Sequence, residues 1–383
     1  MNFLRITLLI ILILPGVALS QDESLLLDEA FVTDVRQAVD SVYNMNYGAS
    51  LEILQPWRNE HPDHPVWAFW QALEIWWKIL PDIENTDHDD AFFDALDEAK
   101  HISDERILGS KDLDALIVNS MSYAFSARHL SNRSSWYRSL LHGRKAMGYF
   151  SDVEAMLPEL GDLHFGLGMK EYFSAYLREN YPVIRPFAWM LPGGDREGGI
   201  DHLQIAAETS TFMIPESIFF LGHIQLHYEE NFNQAMVYLT DLTRQYPNNG
   251  YYQRLLIRSH ERQNNQGRAI QLAGKILSRW EDKNTAADLA LKEELHVIRG
   301  RFLKFRGQED QALDDFIAAY RAGEKLNPKD NRYNFIRASY YLGEIYLSRG
   351  ERGHAAYFLQ KVSASNLDNH YVERAKSLLH EEF

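Results

Sequence analysis

A spaced pattern of small residues in the C-terminal half constrains the fold more than any other feature of this chain. Four alanines follow one another at spacings of 34, 43 and 43 residues: Ala235, Ala269, Ala312 and Ala355. A glycine stands 13 residues before the first and 12 residues before the last, at Gly222 and Gly343. A small residue where two helices cross lets them pack closely, so a repeat of this length predicts stacked pairs of helices.

The rest of the chain keeps this pattern more loosely. The segment 298–320 retains Gly300 beside Ala312, whereas the segment 251–277 retains Ala269 but lacks an early glycine. No segment alternates apolar and polar residues for long enough to predict a strand. We therefore expect an all-α protein, an α-α superhelix built as a helical-repeat solenoid from about residue 25 to residue 383, with a polar-faced last helix.

The repeat positions resemble the tetratricopeptide repeat (TPR) family. The resemblance rests on Leu221, Gly222, Ala235 and Pro247 in one copy and on Leu342, Gly343, Tyr346, Gly350 and Ala355 in another. The central stretch after Asp162, with Gly-Leu-Gly and Gly-Asp-Arg motifs, is similar to a subgroup of exported bacterial TPR proteins and, more distantly, to the eukaryotic inclusion-body-clearance family. The resemblance covers residues 162–383, and it implies a helical-repeat interaction protein with no catalytic motif to carry over.

The first twenty residues have the composition of a secretory signal peptide. Arg5 precedes an apolar run at 6–14, Pro15 breaks the run, and Ala-Leu-Ser at 18–20 offers small residues for cleavage. The run is shorter than the roughly 20 residues of a membrane-spanning helix, although an uncleaved anchor is the alternative. We expect a secreted or periplasmic protein, and the absence of cysteine suits an oxidising compartment.

The predicted organisation is a signal peptide at 1–20, a divergent helical-repeat region at 21–158, and a TPR-like repeat region with a C-terminal capping helix at 159–383. The chain carries a formal net charge of −15. Nucleic acids and anionic membranes attract basic surfaces, so this charge disfavours both as partners. We also expect no membrane insertion of the mature chain.

The stretch Leu191–Glu208 contains four glycines around an Asp-Arg-Glu triplet and admits two interpretations. A phosphate-binding loop needs a preceding strand and a lysine followed by serine or threonine, and neither accompanies Gly198. A tight corner between helices explains the same residues, because Asp195 suits a helix N-cap and Gly199 allows a close approach. We favour the corner, and we expect substitution of Gly193 to destabilise it if the turn uses a positive φ there.

Histidine and acidic clusters raise the question of a metal site. His61 and His64 lie near Glu60, but in a loop with two prolines rather than on one helix face. The acids between Asp82 and Asp90 lack the glycine and terminal glutamate of a calcium loop, so we expect a solvated loop there. With no nucleophile motif or convergent acid and base either, we expect no cofactor, no metal and no enzymatic activity.

Four tryptophans fall within eleven residues, at Trp67, Trp70, Trp76 and Trp77. At about 100° per residue they wrap around much of a helix, so we expect this helix to be buried on several sides. The alternative is that one or two of them line a groove, because tryptophan often contacts ligands and partners.

Partner binding is the function that this architecture favours, on the concave face made by the first helix of each pair. By exclusion of apolar packing positions, the outward candidates there are His223, Gln225, Arg254, Arg258, Arg301, Lys304, Arg337 and Tyr341. Five of these eight are Arg or Lys, which favours an acidic peptide or anionic group as the bound species. The predicted partner-binding residues are Arg254, Arg258, Arg301, Arg337 and Tyr341.

Two alternatives remain at this stage. The basic side chains are ordinary solvated charges if they pair with neighbouring acids. The protein is a small-molecule-binding or transport-accessory protein if the aromatic-rich central region closes into a pocket.

Overall fold

The structure, a computed structural model, describes residues 24–109, 111–181, 193–328 and 331–383. The predicted signal peptide at 1–20 lies outside these residues. The described residues form seventeen α-helices and two short 3₁₀ helices, Leu25–Leu27 and Leu80–Asp82, and they contain no strand. The α-helices are α1 (Glu29–Tyr43), α2 (Tyr47–Glu60), α3 (Val66–Ile79), α4 (Asp89–Gly109), α5 (Leu113–Asn132), α6 (Trp136–Met156), α7 (Leu163–Asn180), α8 (Arg196–Thr209), α9 (Ile214–His227), α10 (Phe232–Gln245), α11 (Gly250–Arg262), α12 (Gln266–Arg279), α13 (Ala286–Phe305), α14 (Glu309–Gly323), α15 (Tyr333–Ser348), α16 (Arg352–Ser363) and α17 (His370–Glu382).

Short polar residues begin many of these helices. A side-chain oxygen accepts a hydrogen bond from a backbone N–H of the first turn at Asp28, Asn46, Asp112, Asp195, Asn231, Asn249, Asn265, Thr285 and Asn369. Such a cap satisfies a donor that has no partner inside the helix and stabilises the helix by about 1 kcal/mol. These caps therefore determine the residue at which each of these helices begins.

Consecutive helices pack in pairs, from α1 with α2 to α15 with α16, and α17 covers the end of the array. Most pairs also pack on the next pair, but α2 and α3 make few close contacts with each other. This arrangement confirms the predicted all-α superhelical solenoid. None of the helices within the described ranges is long and apolar enough to cross a membrane.

The small residues of the repeat lie where the two helices of a pair cross. The four alanines are fully buried, one in each of the second helices α10, α12, α14 and α16: Ala235, Ala269, Ala312 and Ala355. On the facing helix, a Cβ on Gly222 would lie 3.1 Å from the Leu239 side chain, and a Cβ on Gly343 would lie 2.7 Å from that of Leu359. The prediction of helix pairs from this spacing is confirmed.

In the repeat copy without an early glycine, at residues 251–277, the large and small side chains at the helix crossing are exchanged between the two helices. Ile257 of α11 stands 12 residues before Ala269, at the glycine position of the other copies. Four residues after the alanine, where the other copies carry leucine or phenylalanine, this copy has Ala273. Ile257 and Ala273 are both fully buried in the same apolar cluster. A larger residue on the first helix thus goes with a smaller one on the second, which conserves the packed volume.

The pair α7 and α8 has the same kind of crossing. The close approach predicted at Gly199 is confirmed, but the sequence pattern did not reveal that it is equivalent to a repeat crossing. A Cβ on Gly168 would lie 2.7 Å from the Leu203 side chain, and a Cβ on Gly199 would lie 2.6 Å from the backbone nitrogen of Tyr172. Gly199 thus takes the place of the repeat alanine, and Leu203 follows it by four residues as Leu239 follows the alanine of α10. The two helices approach each other to backbone contact.

The N-terminal helices pack against the first helices of the C-terminal pairs. Tyr43 at the end of α1 donates a hydrogen bond from Oη to Glu216 Oε2 of α9 at 2.8 Å. The Trp77 ring of α3 meets the Tyr252 ring of α11 edge-on, with 5.5 Å between centroids. One apolar cluster therefore contains residues between 25 and 255, on both sides of the predicted boundary at 158/159.

A buried ion-pair cluster connects segments that are far apart in the sequence, around residues 82, 293 and 332. Arg332, which precedes α15, donates from Nη1 to Asp82 Oδ1 at 2.6 Å and from Nη2 to Glu293 Oε2 at 2.8 Å. None of these three side chains is more than 3% exposed. Burial, with smaller contributions from Glu84 and Asp82, raises the pKa of Glu293 to about 7. The expectation of a solvated acidic loop is therefore wrong for Asp82, because the sequence does not show that Arg332 lies beside it.

Candidate partner-binding site

The five predicted partner-binding residues lie on three first helices that neighbour one another: Arg254 and Arg258 on α11, Arg301 on α13, and Arg337 and Tyr341 on α15. We call the surface that these three helices share the inner face. The structure brings the five side chains into one region, but it gives them different surroundings.

Arg254 and Arg258 share one carboxylate. Glu294 of α13 receives two hydrogen bonds from Arg258, of which Nη2–Oε2 measures 2.9 Å, and its Oε2 lies 3.3 Å from Arg254 Nε. Burial opposes ionisation of Glu294, but the two guanidinium groups hold its pKa below the ordinary value. Arg254 also donates from Nη1 to the Pro81 carbonyl at 2.8 Å. The N-terminal region thus occupies one of the donors that sequence reasoning assigned to a partner.

Arg301 and Arg337 share a second carboxylate. Arg301 forms an ion pair with Glu261 at the end of α11, and Arg337 Nη2 lies 3.8 Å from the same carboxylate. The Tyr333 and Tyr371 rings lie 5.2 Å and 5.9 Å from the Arg337 guanidinium. Each of the two clusters therefore holds two guanidinium groups around one carboxylate.

Tyr341 lies beside the second cluster. Its ring stacks on Phe316 of α14 with 4.8 Å between centroids, and its hydroxyl lies 3.4 Å from that of Tyr371. Burial raises the pKa of Tyr341, so the hydroxyl stays protonated and able to donate. The side chain is half-buried and is held in place by its neighbours.

Exposure divides the predicted residues into two groups. About a third of the side chain is exposed in Arg258 (34%) and Arg301 (33%), and Tyr341 is half-buried. Arg254 and Arg337 are buried, as is Gln225, so the expectation that they point outward is wrong. The physical reason is coverage by the Leu80–Asp82 helix in the case of Arg254 and by tyrosine rings in the case of Arg337. Of the five predicted residues, Arg258, Arg301 and Tyr341 are the ones whose side chains are partly accessible to solvent.

Sequence reasoning left open that the basic side chains pair with neighbouring acids, as they do here, but it did not identify Glu261 and Glu294 as those acids. Glu261 follows Arg258 by three residues, and Glu294 precedes Arg301 by seven, so helical spacing places each acid on the same side as a predicted arginine. This signal was available in the sequence. The pairing across helices was not, because it depends on which helices become neighbours.

The glycine-rich stretch forms a helix start at a tight corner. Asp195 Oδ2 accepts a hydrogen bond from the Gly198 N–H at 2.9 Å, which confirms the predicted N-cap. A Cβ on Gly194 would lie 2.3 Å from the Glu171 carbonyl oxygen, whereas a Cβ on Gly193 would meet no atom of the described residues within 4 Å. The constrained turn position is therefore Gly194 rather than Gly193.

The histidine-rich loop is connected through Asp114 to the first described residues, Ser24 and Leu25. His64 Nδ1 accepts from the Val66 N–H at 3.2 Å, and Nε2 therefore carries the proton that it donates to Asp114 Oδ2 at 3.1 Å. The same carboxylate accepts from the Leu25 N–H at 2.7 Å and from the Ser24 hydroxyl. Both histidine nitrogens are occupied, which leaves no lone pair for a substrate proton. Within the described ranges, no group of three or more His, Asp or Glu side chains is arranged to hold a metal ion.

The four clustered tryptophans are buried, as the helical pattern predicts. Trp76 and Trp77 are 1% and 2% exposed, and ten of the fourteen residues of α3 are buried. Trp67 and Trp70 also line a cleft of about 130 Å³ between α2 and α3. Burial on several sides and a position beside a groove thus both apply to this helix.

The central region contains an aromatic cluster on α7 and α9. The Tyr228 ring lies 4.6 Å from that of Tyr176 and 5.6 Å from that of His223. Burial lowers the pKa of His223 well below its ordinary value and that of His227 to about 4, although His227 is exposed to solvent.

Comparison with known protein families and with curated proteins finds no match for this chain. The helical-repeat fold therefore rests on the helix pairs and their crossings, and the candidate site rests on its own geometry.

Proposed function

We propose that the protein is an exported, non-enzymatic scaffold of the tetratricopeptide repeat type that binds an acidic segment of a protein or peptide partner on its inner face. The observation that carries this proposal is the excess of guanidinium groups over carboxylates there. Glu294 is shared by Arg254 and Arg258, and Glu261 by Arg301 and Arg337, so each cluster has one more positive than negative charge.

This local excess supports a specific kind of partner. A guanidinium group presents several N–H donors in a fixed plane, and it binds a carboxylate through two parallel hydrogen bonds. The chain as a whole carries a net charge of −15 and repels an acidic segment. The inner face attracts such a segment because the arginines are concentrated there. Tyr341 adds an aromatic surface and a hydroxyl next to Arg301.

The compartment and the repeat type form part of the same proposal. The predicted signal peptide supports a secreted or periplasmic location, where the absence of cysteine suits an oxidising environment. The glycine and alanine crossings of α9/α10 and α15/α16 support the tetratricopeptide assignment, because small residues at these positions define the packing of that repeat.

Affinity capture with the full mature chain as bait tests the proposal. Wild-type bait and the double variant Arg258→Gln/Arg301→Gln are incubated with the native envelope fraction, and the co-purifying proteins are identified. These two arginines are chosen because they are accessible, whereas substitution of Arg254 or Arg337 would also disturb the buried core. The double variant Arg244→Gln/Arg268→Gln, on the second helices α10 and α12, makes the same charge change on exposed side chains away from the inner face.

We expect a partner that wild-type and the Arg244/Arg268 control capture and that the Arg258/Arg301 variant does not. Calorimetry with that partner at low and moderate salt should show an affinity that falls with salt, because exposed charges are screened. Undiminished affinity of the Arg258/Arg301 variant, with an unchanged circular-dichroism spectrum, would remove the inner face from consideration.

A small-molecule-binding or transport-accessory role is the second candidate. The aromatic cluster around Tyr176, Tyr228 and His223 favours it, because His223 Nδ1 is buried and has no hydrogen-bond partner among the described residues. Native mass spectrometry of protein purified from its own envelope separates the two candidates. A bound small molecule that is lost on substitution of His223→Phe would support this second role.

A further inference from the structure

The junction between α2 and α3, like that between α6 and α7, is packed less closely than the other junctions between successive pairs. At the α8/α9 and α10/α11 junctions the two helices pack closely, whereas α2 and α3 make few close contacts and leave a cleft of about 130 Å³. The connection 61–65, with prolines at 62 and 65, and Pro56 within α2 separate the two helices here. A drug-sized ligand needs roughly 300–1,000 Å³, so this cleft has room for one side chain only.

The lining of the cleft combines aromatic and acidic groups. Trp67, Trp70 and Glu74 follow one another on α3 at intervals of three and four residues, which places them on one helix face. The two tryptophans are less than 9% exposed and form the floor, and Leu51 of α2, which is 47% exposed, forms part of the opposite wall. The cleft therefore combines apolar and aromatic surface with polar side chains, since Gln55, Arg58 and Gln71 also line it.

Glu74 has an unmet hydrogen-bonding need within this lining. Its Oε1 is buried and has no hydrogen-bond partner among the described residues. Burial raises the pKa of Glu74. A hydrogen bond from Trp70 and the charges of Lys78 and of Arg58, which also lines the cleft, oppose this rise only in part. A buried carboxylate oxygen without a partner is destabilising, and a ligand that supplies an N–H donor would satisfy it.

We propose that this cleft binds a lysine or arginine side chain of a peptide partner, with its cationic head on Glu74 and its methylene stem between Leu51 and the two tryptophans. The observation is charge complementarity in an apolar, aromatic setting, where a desolvated cation gains from both the carboxylate and the indole rings. The proposal concerns a basic group, whereas the inner face is proposed for an acidic one, and neither depends on the other.

Short peptides test the proposal on the full mature chain. The probe is N-acetyl-Gly-Arg-Gly-amide, and the matched control contains citrulline, which has nearly the shape of arginine but no charge. Binding is followed by the indole N–H resonances of Trp67 and Trp70 in ¹H–¹⁵N NMR spectra, assigned from the variants Trp67→Phe and Trp70→Phe. We expect saturable shifts with the arginine peptide and an affinity for the citrulline peptide that is at least about tenfold weaker.

Three variants of the cleft test the role of the cationic head. Glu74→Gln should remove the preference for arginine over citrulline, whereas Arg58→Gln should keep or strengthen binding, since it removes a like charge from the lining. Leu51→Arg, at an exposed position that tolerates a change without unfolding, should place a cation in the cleft and block the peptide. Equal affinity for the two peptides, loss of binding in Arg58→Gln, or full binding in Leu51→Arg would overturn the proposal.

Discussion

The C-terminal pairs and the N-terminal helices of this protein are held together in different ways. In the pairs α9/α10 and α15/α16, a glycine of the first helix faces a leucine of the second, four residues after a buried alanine. Among α3, α4 and α5, aromatic rings fill the space: Trp76 lies 5.6 Å from Phe92, and the His129 ring lies 5.2 Å from Phe92. His129 is held in turn by Asp89, whose carboxylate lies 2.8 Å from its Nε2.

This difference explains why the helix packing of the C-terminal pairs can be predicted from the sequence more readily than that of the N-terminal helices. A helix crossing that depends on one small residue recurs with the same geometry in each repeat, so the small residues recur at a regular spacing in the sequence. An aromatic cluster consists of side chains from several helices in a unique arrangement, so its residues show no regular spacing in the sequence. The N-terminal region nevertheless depends on the repeats, because Tyr43 has its hydrogen-bond partner on α9 and Asp82 has its partner in the segment before α15.

The largest loss of stability is expected from a substitution in the buried ion-pair cluster of Arg332, Asp82 and Glu293, where the two regions meet. Arg332→Met would leave Asp82 and Glu293 buried without a counter-charge, which should destabilise the protein by about 3–5 kcal/mol. The free energy of unfolding from urea titrations measures the effect. Arg244→Met, which removes an exposed pair with Asp241, is the control and should change stability little. A stability of Arg332→Met equal to that of the control would show that the two regions do not depend on this contact.

The same cluster predicts a dependence on pH. Because the pKa of Glu293 is about 7 in the folded protein and ordinarily 4.5, the folded state retains a proton that the unfolded chain has lost between these values. This contribution to stability is fully present below pH 4.5 and is lost as the pH rises to 7. Glu293→Gln cannot ionise, so wild type should lose about 2–3 kcal/mol relative to the variant across this window. Histidines with lowered pKa values act in both proteins and cancel in the difference, and parallel stability curves would contradict the assignment.

Overfilling a repeat crossing should have a smaller effect. Ala235→Leu and Ala355→Leu each add a bulky group at a fully buried position, with an expected loss of about 1–3 kcal/mol. Denaturation midpoints of the two variants measure it, and Ala286→Leu at the exposed start of α13 is the matched control. Midpoints that stay at the wild-type value would mean that the alanines do not mark the crossings.

The smallest effect is expected at Gly193. An added Cβ at Gly193 would meet no atom of the described residues, so Gly193→Val should leave the thermal midpoint nearly unchanged. Gly199→Val is the informative contrast, because its Cβ would lie 2.6 Å from the Tyr172 backbone nitrogen. If the two variants were equally stable, the close approach of α7 and α8 would be wrong.

The sequence predicted the helix pairs where a single position carries the geometry, as at Gly222 and Ala235. It did not reveal the α7/α8 copy, because glycine replaces alanine at Gly199 and the pair is joined by a longer connection. It placed the five partner-binding candidates on one face, but it could not show that Arg254 is covered. That depends on the contact with Pro81, a residue 173 positions away, and no local pattern encodes such a contact.

The central structural claim is that the N-terminal helices and the repeats form one cooperative unit joined through the first helices of the pairs. Five of the eight tryptophans lie between residues 57 and 77, so tryptophan fluorescence reports mainly on the N-terminal region, whereas far-UV circular dichroism reports on all helices. Urea unfolding followed by both signals tests the claim directly. We predict coincident midpoints for wild type and separate ones for Arg332→Met. A wild-type fluorescence transition that is complete while most of the helical signal remains would contradict the claim.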